Sequence, residues 1–206
     1  MPPLSTISDF HQNFPPDFCL ETERVLLRPM QKQDAEEFIP IAKSKVLWKY
    51  FTKELNEESQ LLHWVDVALD EMTACKRMAL TIIEKSGGTI CGSTSFGNIS
   101  FFDRRIEIGW TWLGEAFLGS CINRHAKFAL LRHAFEAMHF ERVEIKTDFL
   151  NERARRALVK IGAKEEGVLR SHMEMPHGRR RDSIYYSILK SEWNEVKFGN
   201  FHDLII

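Results

Sequence analysis

The stretch that decides the fold is Trp110-Thr-Trp-Leu-Gly-Glu-Ala-Phe-Leu-Gly-Ser-Cys-Ile-Asn123. Its pattern predicts the end of a strand, a loop with two glycines, and a helix that begins near Ile122. The free N–H groups and the positive dipole end at such a junction favour an anion, and a diphosphate fits. Asn123 and Lys127 add donors and charge. Alternatively, Gly119 only makes a tight turn and the cations are solvated.

The segments around this junction predict one central sheet with helices packed on it. Apolar periodicity and turn residues place strands at residues 25–28, 78–83, 89–96, 106–113, 143–147, 167–173 and 183–189, and helices at residues 35–42, 61–72, 122–138 and 151–161. A strand–helix–strand connection from 106 to 147 requires a parallel pair, while the other neighbours can be antiparallel. We therefore expect an α+β (mixed α/β) fold.

Composition excludes several classes of protein. The 206 residues are 44% hydrophobic, with a formal net charge of -1, so the chain is not predominantly disordered. The balanced charge predicts no attraction to nucleic acid or to an anionic membrane surface. No apolar run approaches the ~18 residues that span a bilayer. The four cysteines and eight histidines lack the spacing of zinc ligands, so we expect no metal and a reduced, cytoplasmic setting.

The length favours a single domain over residues 1–206. Four prolines within the first 18 residues predict an extended N-terminal arm. Residues 194–206 are interpreted as a C-terminal tail. A free arm and exposed strand edges make a homodimer plausible.

Several segments in order along the chain carry a family resemblance. They are Thr22-Glu-Arg-Val-Leu-Leu-Arg-Pro29, Glu107-Ile-Gly-Trp-Thr-Trp-Leu113, Asn123-x-x-x-Lys127, Leu130-Leu-Arg-His-Ala-Phe-Glu136, Arg142-Val-Glu-Ile-Lys-Thr-Asp148, Asn151-Glu-Arg-Ala-Arg-Arg-Ala157, Gly162-Ala-Lys-Glu-Glu-Gly-Val-Leu-Arg170 and Gly178-Arg-Arg-Arg-Asp-Ser-Ile-Tyr-Tyr-Ser-Ile188. From about residue 20 to residue 193, the chain resembles the GNAT superfamily of N-acetyltransferases, most closely its RimJ/RimL-type branch. The resemblance implies a GNAT fold, with a mostly antiparallel sheet of six to seven strands, one splayed parallel pair and about four flanking helices.

The resemblance also implies direct transfer of an acetyl group from acetyl-CoA to a primary amine. It assigns the diphosphate to backbone amides of the loop, with help from the first helical turns, and the pantetheine arm to the preceding strand. The implied cofactor-binding residues are Leu118, Gly119, Ser120, Cys121, Ile122, Asn123 and Lys127 for the diphosphate, Trp110, Thr111, Trp112 and Leu113 for the pantetheine, and Asn151 near the sulfur. This sequence departs from the family pattern at three positions, where Ala116 replaces Arg or Gln, Cys121 replaces Gly, and Ala154 replaces a serine near the thiolate.

Three residues are candidates for a catalytic role. Glu107 matches the position of a carboxylate base in many relatives, and it would act directly or through water. The alternative is a surface residue paired with Arg104 or Arg105. Glu174, on the penultimate strand, is the second candidate for the base. Asn151 caps the following helix and would also approach the cofactor.

The acceptor stays open at this stage. A protein N-terminal α-amine is one choice, and a polyamine, amino acid or antibiotic amine is another. An α-amine with a pKa of about 8 needs less help from a base than an alkyl amine at about 10.4. Arg179-Arg-Arg181 is interpreted as a hairpin tip that could attract an acidic substrate. A rival hypothesis is a non-catalytic acyl-CoA-binding regulatory module, which Ala154 and Cys121 support.

Overall fold

One eight-stranded sheet organises the computed structural model, which describes residues 4–205. The strands are β1 (Leu20–Glu21), β2 (Val25–Pro29), β3 (Arg77–Glu84), β4 (Thr89–Ser100), β5 (Arg105–Leu113), β6 (Arg142–Asp148), β7 (Lys164–Glu174) and β8 (Arg180–Leu189). The helices are α1 (Leu4–Asn13), α2 (Asp34–Ala42), α3 (Glu58–Thr73), α4 (Ile122–Arg132), α5 (Glu152–Lys160) and α6 (Lys190–Asn200). The strand order is β1-β2-β3-β4-β5-β6-β8-β7, and β5–β6 is the one parallel pair in this sheet.

The predicted mixed, mostly antiparallel sheet with one parallel pair is confirmed. The structure has eight strands in place of the expected six to seven, because the two-residue strand β1 pairs with β2. It has six α-helices within residues 4–205, where we expected about four. Helices α1 and α6, at the two ends of the chain, account for the difference.

The extended arm expected at residues 1–18 is instead helical over most of its described part, since α1 spans Leu4–Asn13. Phe10, Phe14 and Phe18 are spaced by four residues and are all buried. Their rings contact one another in series, with centroids 4.9 and 5.1 Å apart. This aromatic stripe, and not the proline content, decides the local structure, because the prolines at 15 and 16 only end the helix. Residues 1–3 lie outside the described residues.

The prediction of a C-terminal tail at residues 194–206 is also wrong for the first part of this range, which is helical. Helix α6 continues to Asn200, and Trp193, Phe201 and Leu204 are buried. The indole of Trp193 lies 5.3 Å from the ring of Phe135, so the segment closes one face of the core. Residue 206 lies outside the described residues.

Each face of the sheet packs against its own hydrophobic core. Helices α1, α4 and α6 contribute to the larger core, and α2 and α3 form the smaller core together with residues of β3, β4 and β5. Because side chains alternate along a strand, Ile106 and Ile108 face the larger core while Glu107 faces the side of α2 and α3. None of the helices within residues 4–205 combines the length and hydropathy that a bilayer crossing requires.

Candidate active site

The central feature of the site is a slot between the parallel strands β5 and β6. Residues Arg105–Glu107 of β5 pair with residues Arg142–Glu144 of β6, and these three pairs are the whole of their pairing within the described residues. Beyond that point β5 contains a bulge, where its register with β4 shifts and Trp110 takes a φ of +52°. Within the described residues, the edge of β5 that faces β6 then has no strand partner, so its backbone groups are available to a ligand.

The glycine loop at one end of this slot offers two free backbone amides. Among the backbone amides of residues 118–122, the predicted main-chain donors, Leu118 N–H bonds the Glu115 carbonyl at 3.1 Å, and Ser120 N–H bonds the Phe117 carbonyl at 3.3 Å. Ile122 N–H contacts the Ser120 hydroxyl at 3.3 Å. The amides of Gly119 and Cys121 have no acceptor in the part of the chain that the structure describes.

Gly119 allows this loop conformation. Its φ of +78° lies in the left-handed region, which a Cβ disfavours, although a Cβ there would meet nothing within 4 Å. The Cys121 side chain beside it is exposed. Asn123 follows in the first turn of α4, and its Oδ1 is buried without a partner among the described residues. The donors that this loop leaves unpaired within the described residues are therefore backbone amides and not charged side chains.

Lys127 does not contribute charge at the loop surface as the sequence suggested. Its side chain is buried, and its Nζ donates to the Thr111 Oγ1 at 2.8 Å. Thr111 Oγ1 also pairs with Thr94 Oγ1 at 2.8 Å. Burial lowers the pKa of Lys127 to about 7, against the opposing influence of the Glu107 carboxylate. A side chain that binds a diphosphate has to reach the surface. Lys127 instead lies beneath the bulge of β5, where its ammonium group is bonded to Thr111.

Two of the predicted pantetheine residues, Trp112 and Leu113, have buried side chains, so only their backbone groups can reach a ligand. Trp112 packs edge-on against Phe38 in the smaller core, and Leu113 is buried in the larger one. Trp110 is partly exposed, and a Cβ added at Gly97 would lie 2.4 Å from its indole. The bulge thus turns Trp110 to the face that also carries Glu107.

Glu107 is buried and held by two donors. Lys146 Nζ and Asn98 Nδ2 each donate to its Oε2 at 2.6 Å. Its Oε1 has no donor within residues 4–205, so this oxygen is the one able to accept a proton. The alternative pairing with Arg104 or Arg105 is wrong, because both arginines pair with other acidic residues.

Asn98 and Lys146 are functional candidates that sequence analysis missed. They come from the strands on either side of β5, and only the register of the sheet brings them to Glu107. The one feature of the sequence that could have indicated Lys146 is its position on a half-buried strand, two residues after Glu144.

The other candidate residues lie around the slot. Asn151 caps α5 as predicted, with its Oδ1 accepting from the Ala154 N–H at 3.1 Å. Glu174 ends β7 and lines an open cavity of about 410 Å³. The wall of this cavity comes from the α2–α3 connection, from α3 and from the end of β7, and its residues are Thr52, Lys53, Glu54, Leu55, Gln60, His63, Trp64, Glu174, Met175 and Pro176.

A family model described as an acetyltransferase (GNAT) domain matches residues 24–164. The chain belongs to the GNAT acetyltransferases. The predicted GNAT family and fold are thereby confirmed.

Three relatives illustrate the match. YdaF of Bacillus subtilis (strain 168), provisionally named a ribosomal N-acetyltransferase, is 36% identical over 110 residues, which cover 53% of this chain and 59% of YdaF. The match therefore spans about three-fifths of that relative's length. A structure from T. thermophilus, provisionally described as an acetyltransferase, is 33% identical with a TM-score of 0.82 and covers 91% of this chain and 97% of that one. RimJ of Mycobacterium smegmatis, solved with CoA-disulfide, shares the fold at 23% identity and a TM-score of 0.74, over 86% of this chain and 89% of RimJ.

Proposed function

We propose that this GNAT acetyltransferase moves an acetyl group from acetyl-CoA to a primary amine by direct attack, and that the acceptor is a protein N-terminal α-amine. The observation that carries the proposal is the slot between β5 and β6, which has free amides at one end and the Glu107 carboxylate beside its narrow end. An extended thioester with an anionic head group suits this shape and this polarity.

Different residues along the slot would bind different parts of acetyl-CoA. The amides of Gly119 and Cys121 would receive the diphosphate at the positive end of α4. The free backbone edge of β5, residues 110–113, would pair with the amides of the pantetheine arm. Asn151, at the start of α5, would stand close to the sulfur.

Glu107 serves as the base in this proposal. The amine nitrogen attacks the thioester carbonyl carbon, the C–S bond breaks, and the proton of the amine passes to Glu107 Oε1 directly or through one water. The departing thiolate takes its proton from solvent, because Ala154 supplies no hydroxyl group. An α-amine, with a pKa of about 7.7–8.0, is about one-tenth unprotonated at pH 7, a far larger fraction than for an alkyl amine with a pKa of about 10.4, which suits a site with no second general acid.

The test is thiol release from acetyl-CoA with peptide and small-amine acceptors. We expect Glu107→Gln to lower kcat at pH 7 by about 10²-fold, with partial recovery at higher pH, while calorimetry shows unchanged acetyl-CoA affinity. Glu144→Gln is the matched control, because Glu144 is the register neighbour of Glu107 on β6 and is bound by Arg142. An unchanged rate in Glu107→Gln would move the role of base to Glu174, which Glu174→Gln then tests.

A further inference from the structure

Three consecutive arginines lie at the start of β8, Arg179 directly before the strand and Arg180 and Arg181 as its first two residues, and two of the three have partners. Arg179 donates to the Asp148 carboxylate, and Arg180 Nε donates to the Ser171 hydroxyl at 3.0 Å. Arg181 is 6% exposed, yet its guanidinium has no hydrogen bond or ion pair with any residue in the described range. Its Nε is fully buried without an acceptor. A buried, unpaired guanidinium is costly, so a counter-group from outside the chain would stabilise it.

The sheet register places Arg181 on the face of the proposed base. Ile184, Tyr186 and Ile188 of β8 face the larger core, so Arg181 and Tyr185 face the opposite side, where Lys146 pairs in register with Tyr185. The pairing of β6 with β8 ends at Asp148 and Ser183, and Arg181 lies two residues beyond this last pair, towards the start of β8. Arg181 therefore lies past the end of β6, where β5 and β6 have already separated.

A bulge in β7 lies beside this guanidinium. Leu169 pairs with Ser183 and Met173 pairs with Arg181, so three residues of β7 oppose one residue of β8. The bulge brings the ring of His172 to 6.0 Å from the ring of Tyr185. Directly after Met173, the same strand end leads into the wall of the 410 Å³ cavity at Glu174 and Met175. Arg181 and the cavity thus lie at the same end of β7.

The charges of this region leave Arg181 as the surplus cation. Burial lowers the pKa of the Arg181 guanidinium, and the carboxylates of Asp148 and Glu107 act in the opposite direction. Each of these carboxylates already has a cation of its own, because Arg179 binds Asp148 and Lys146 binds Glu107. One positive charge is left without a counter-charge, and a ligand anion would supply it.

We propose that Arg181 determines acceptor specificity by binding a carboxylate that the acceptor carries close to its reactive amine. The guanidinium fork matches a carboxylate with two parallel hydrogen bonds, and the surplus charge favours an anion over a neutral carbonyl group. The proposal rests on the proposed function. It excludes polyamines and polycationic antibiotics, which the sequence left open. The carboxylate belongs either to a free amino acid or to an acidic residue at the start of a peptide.

The test uses acceptors that differ in one charge. The pairs are glycine against glycinamide, and a peptide that begins with Asp against the same peptide with Asn, with putrescine as the acceptor without a carboxylate. We expect the wild-type protein to favour the acid of one pair by about tenfold or more in kcat/KM per unprotonated amine, since hydrogen bonds to charged groups are the strong ones. The pair that shows the preference identifies the source of the carboxylate.

Variants assign the preference to Arg181. Arg181→Gln is expected to bring the acid-to-amide ratio to about 1, and Arg181→Lys to keep part of it. Arg180→Gln is the matched control, because Arg180 is exposed and its bonds to residues 4–205 all go to Ser171, so it should keep the wild-type ratio. The acetyl-CoA affinity of Arg181→Gln should stay unchanged in calorimetry, because the diphosphate loop leads into α4 on the other face.

Three outcomes overturn the proposal: putrescine as the best acceptor, an unchanged acid-to-amide ratio in Arg181→Gln, or a selective loss of acetyl-CoA affinity in that variant, which would assign Arg181 to the donor. Absence of thiol release with every amine would count against the proposed function instead. Calorimetry with each acid and amide in the presence of CoA then decides the role of Arg181, because binding needs no turnover. If Arg181→Gln does not fold, Arg181→Lys with the same pairs gives the answer.

Discussion

The buried ammonium of Lys127 gives a prediction that can be worked out from the structure. Its pKa falls from an ordinary value of 10.5 to about 7, and burial is the main cause. The folded state therefore favours the neutral amine, while the unfolded chain binds the proton up to about pH 10. Between these two pKa values the unfolded state holds more protons, so stability rises with pH. Integrated from pH 7 to pH 9, this contribution is about 2 kcal/mol.

Replacing Lys127 by Met removes the titrating group and keeps a long, flexible side chain in the same space. Thr111 keeps a hydrogen-bond partner, because Thr94 Oγ1 lies 2.8 Å away. We expect Lys127→Met to be more stable than the wild-type protein at pH 7, with a gap that narrows by about 2 kcal/mol at pH 9.

The assay is urea unfolding of both proteins at pH 7, 8 and 9. Lys160→Met, at an exposed position of α5, is the control for loss of a surface lysine, and its difference from the wild-type protein should not depend on pH in this way. Parallel pH dependences for wild type and Lys127→Met would refute the reasoning, because they would mean that the ammonium of Lys127 is well solvated.

Two further predictions concern packing and acid stability. Gly97→Ala places a Cβ 2.4 Å from the Trp110 indole, so we expect a loss of about 1–3 kcal/mol in urea unfolding, whereas Gly199→Ala, which has open space around its Cβ, should not destabilise the protein. Burial lowers the pKa of His133 to about 4, so the unfolded state binds the extra proton as the pH falls below 6.5. The wild-type protein should therefore lose about 2 kcal/mol more stability than His133→Leu between pH 7 and pH 4.5, and equal losses would contradict this account.

The sequence alone was enough to predict the centre of the fold, but it was not enough to predict the structure of the two chain ends. The junction of β5 and α4 is local in sequence, and the right-handed crossover rule then requires the parallel partner β6. At the N-terminus, Phe10 and Phe14 carry a helical period that the surrounding prolines obscured. Whether such a stripe is buried depends on a matching face elsewhere, here near Phe96 and His133, and no local pattern shows that face.

The polar contacts of the site could not be predicted for a similar reason. Glu107 is a candidate by family resemblance alone, but Asn98 and Lys146 reach it through the register of three strands. Lys127 was expected at the surface because it lies in the second turn of a helix. Helix α4 is buried on nearly all sides, so the usual rule that lysines mark its solvent face does not hold.

The packing of the two chain ends has a practical consequence for trimming the protein. The family match starts at residue 24 and stops at residue 164, yet Phe10, Phe14 and Trp193 all belong to the larger core. A recombinant version cut to the matched residues would remove Phe14 and Phe18 from the imidazole of His133, and Trp193 from the ring of Phe135. Expression boundaries for this chain should therefore follow its buried rings and include both ends.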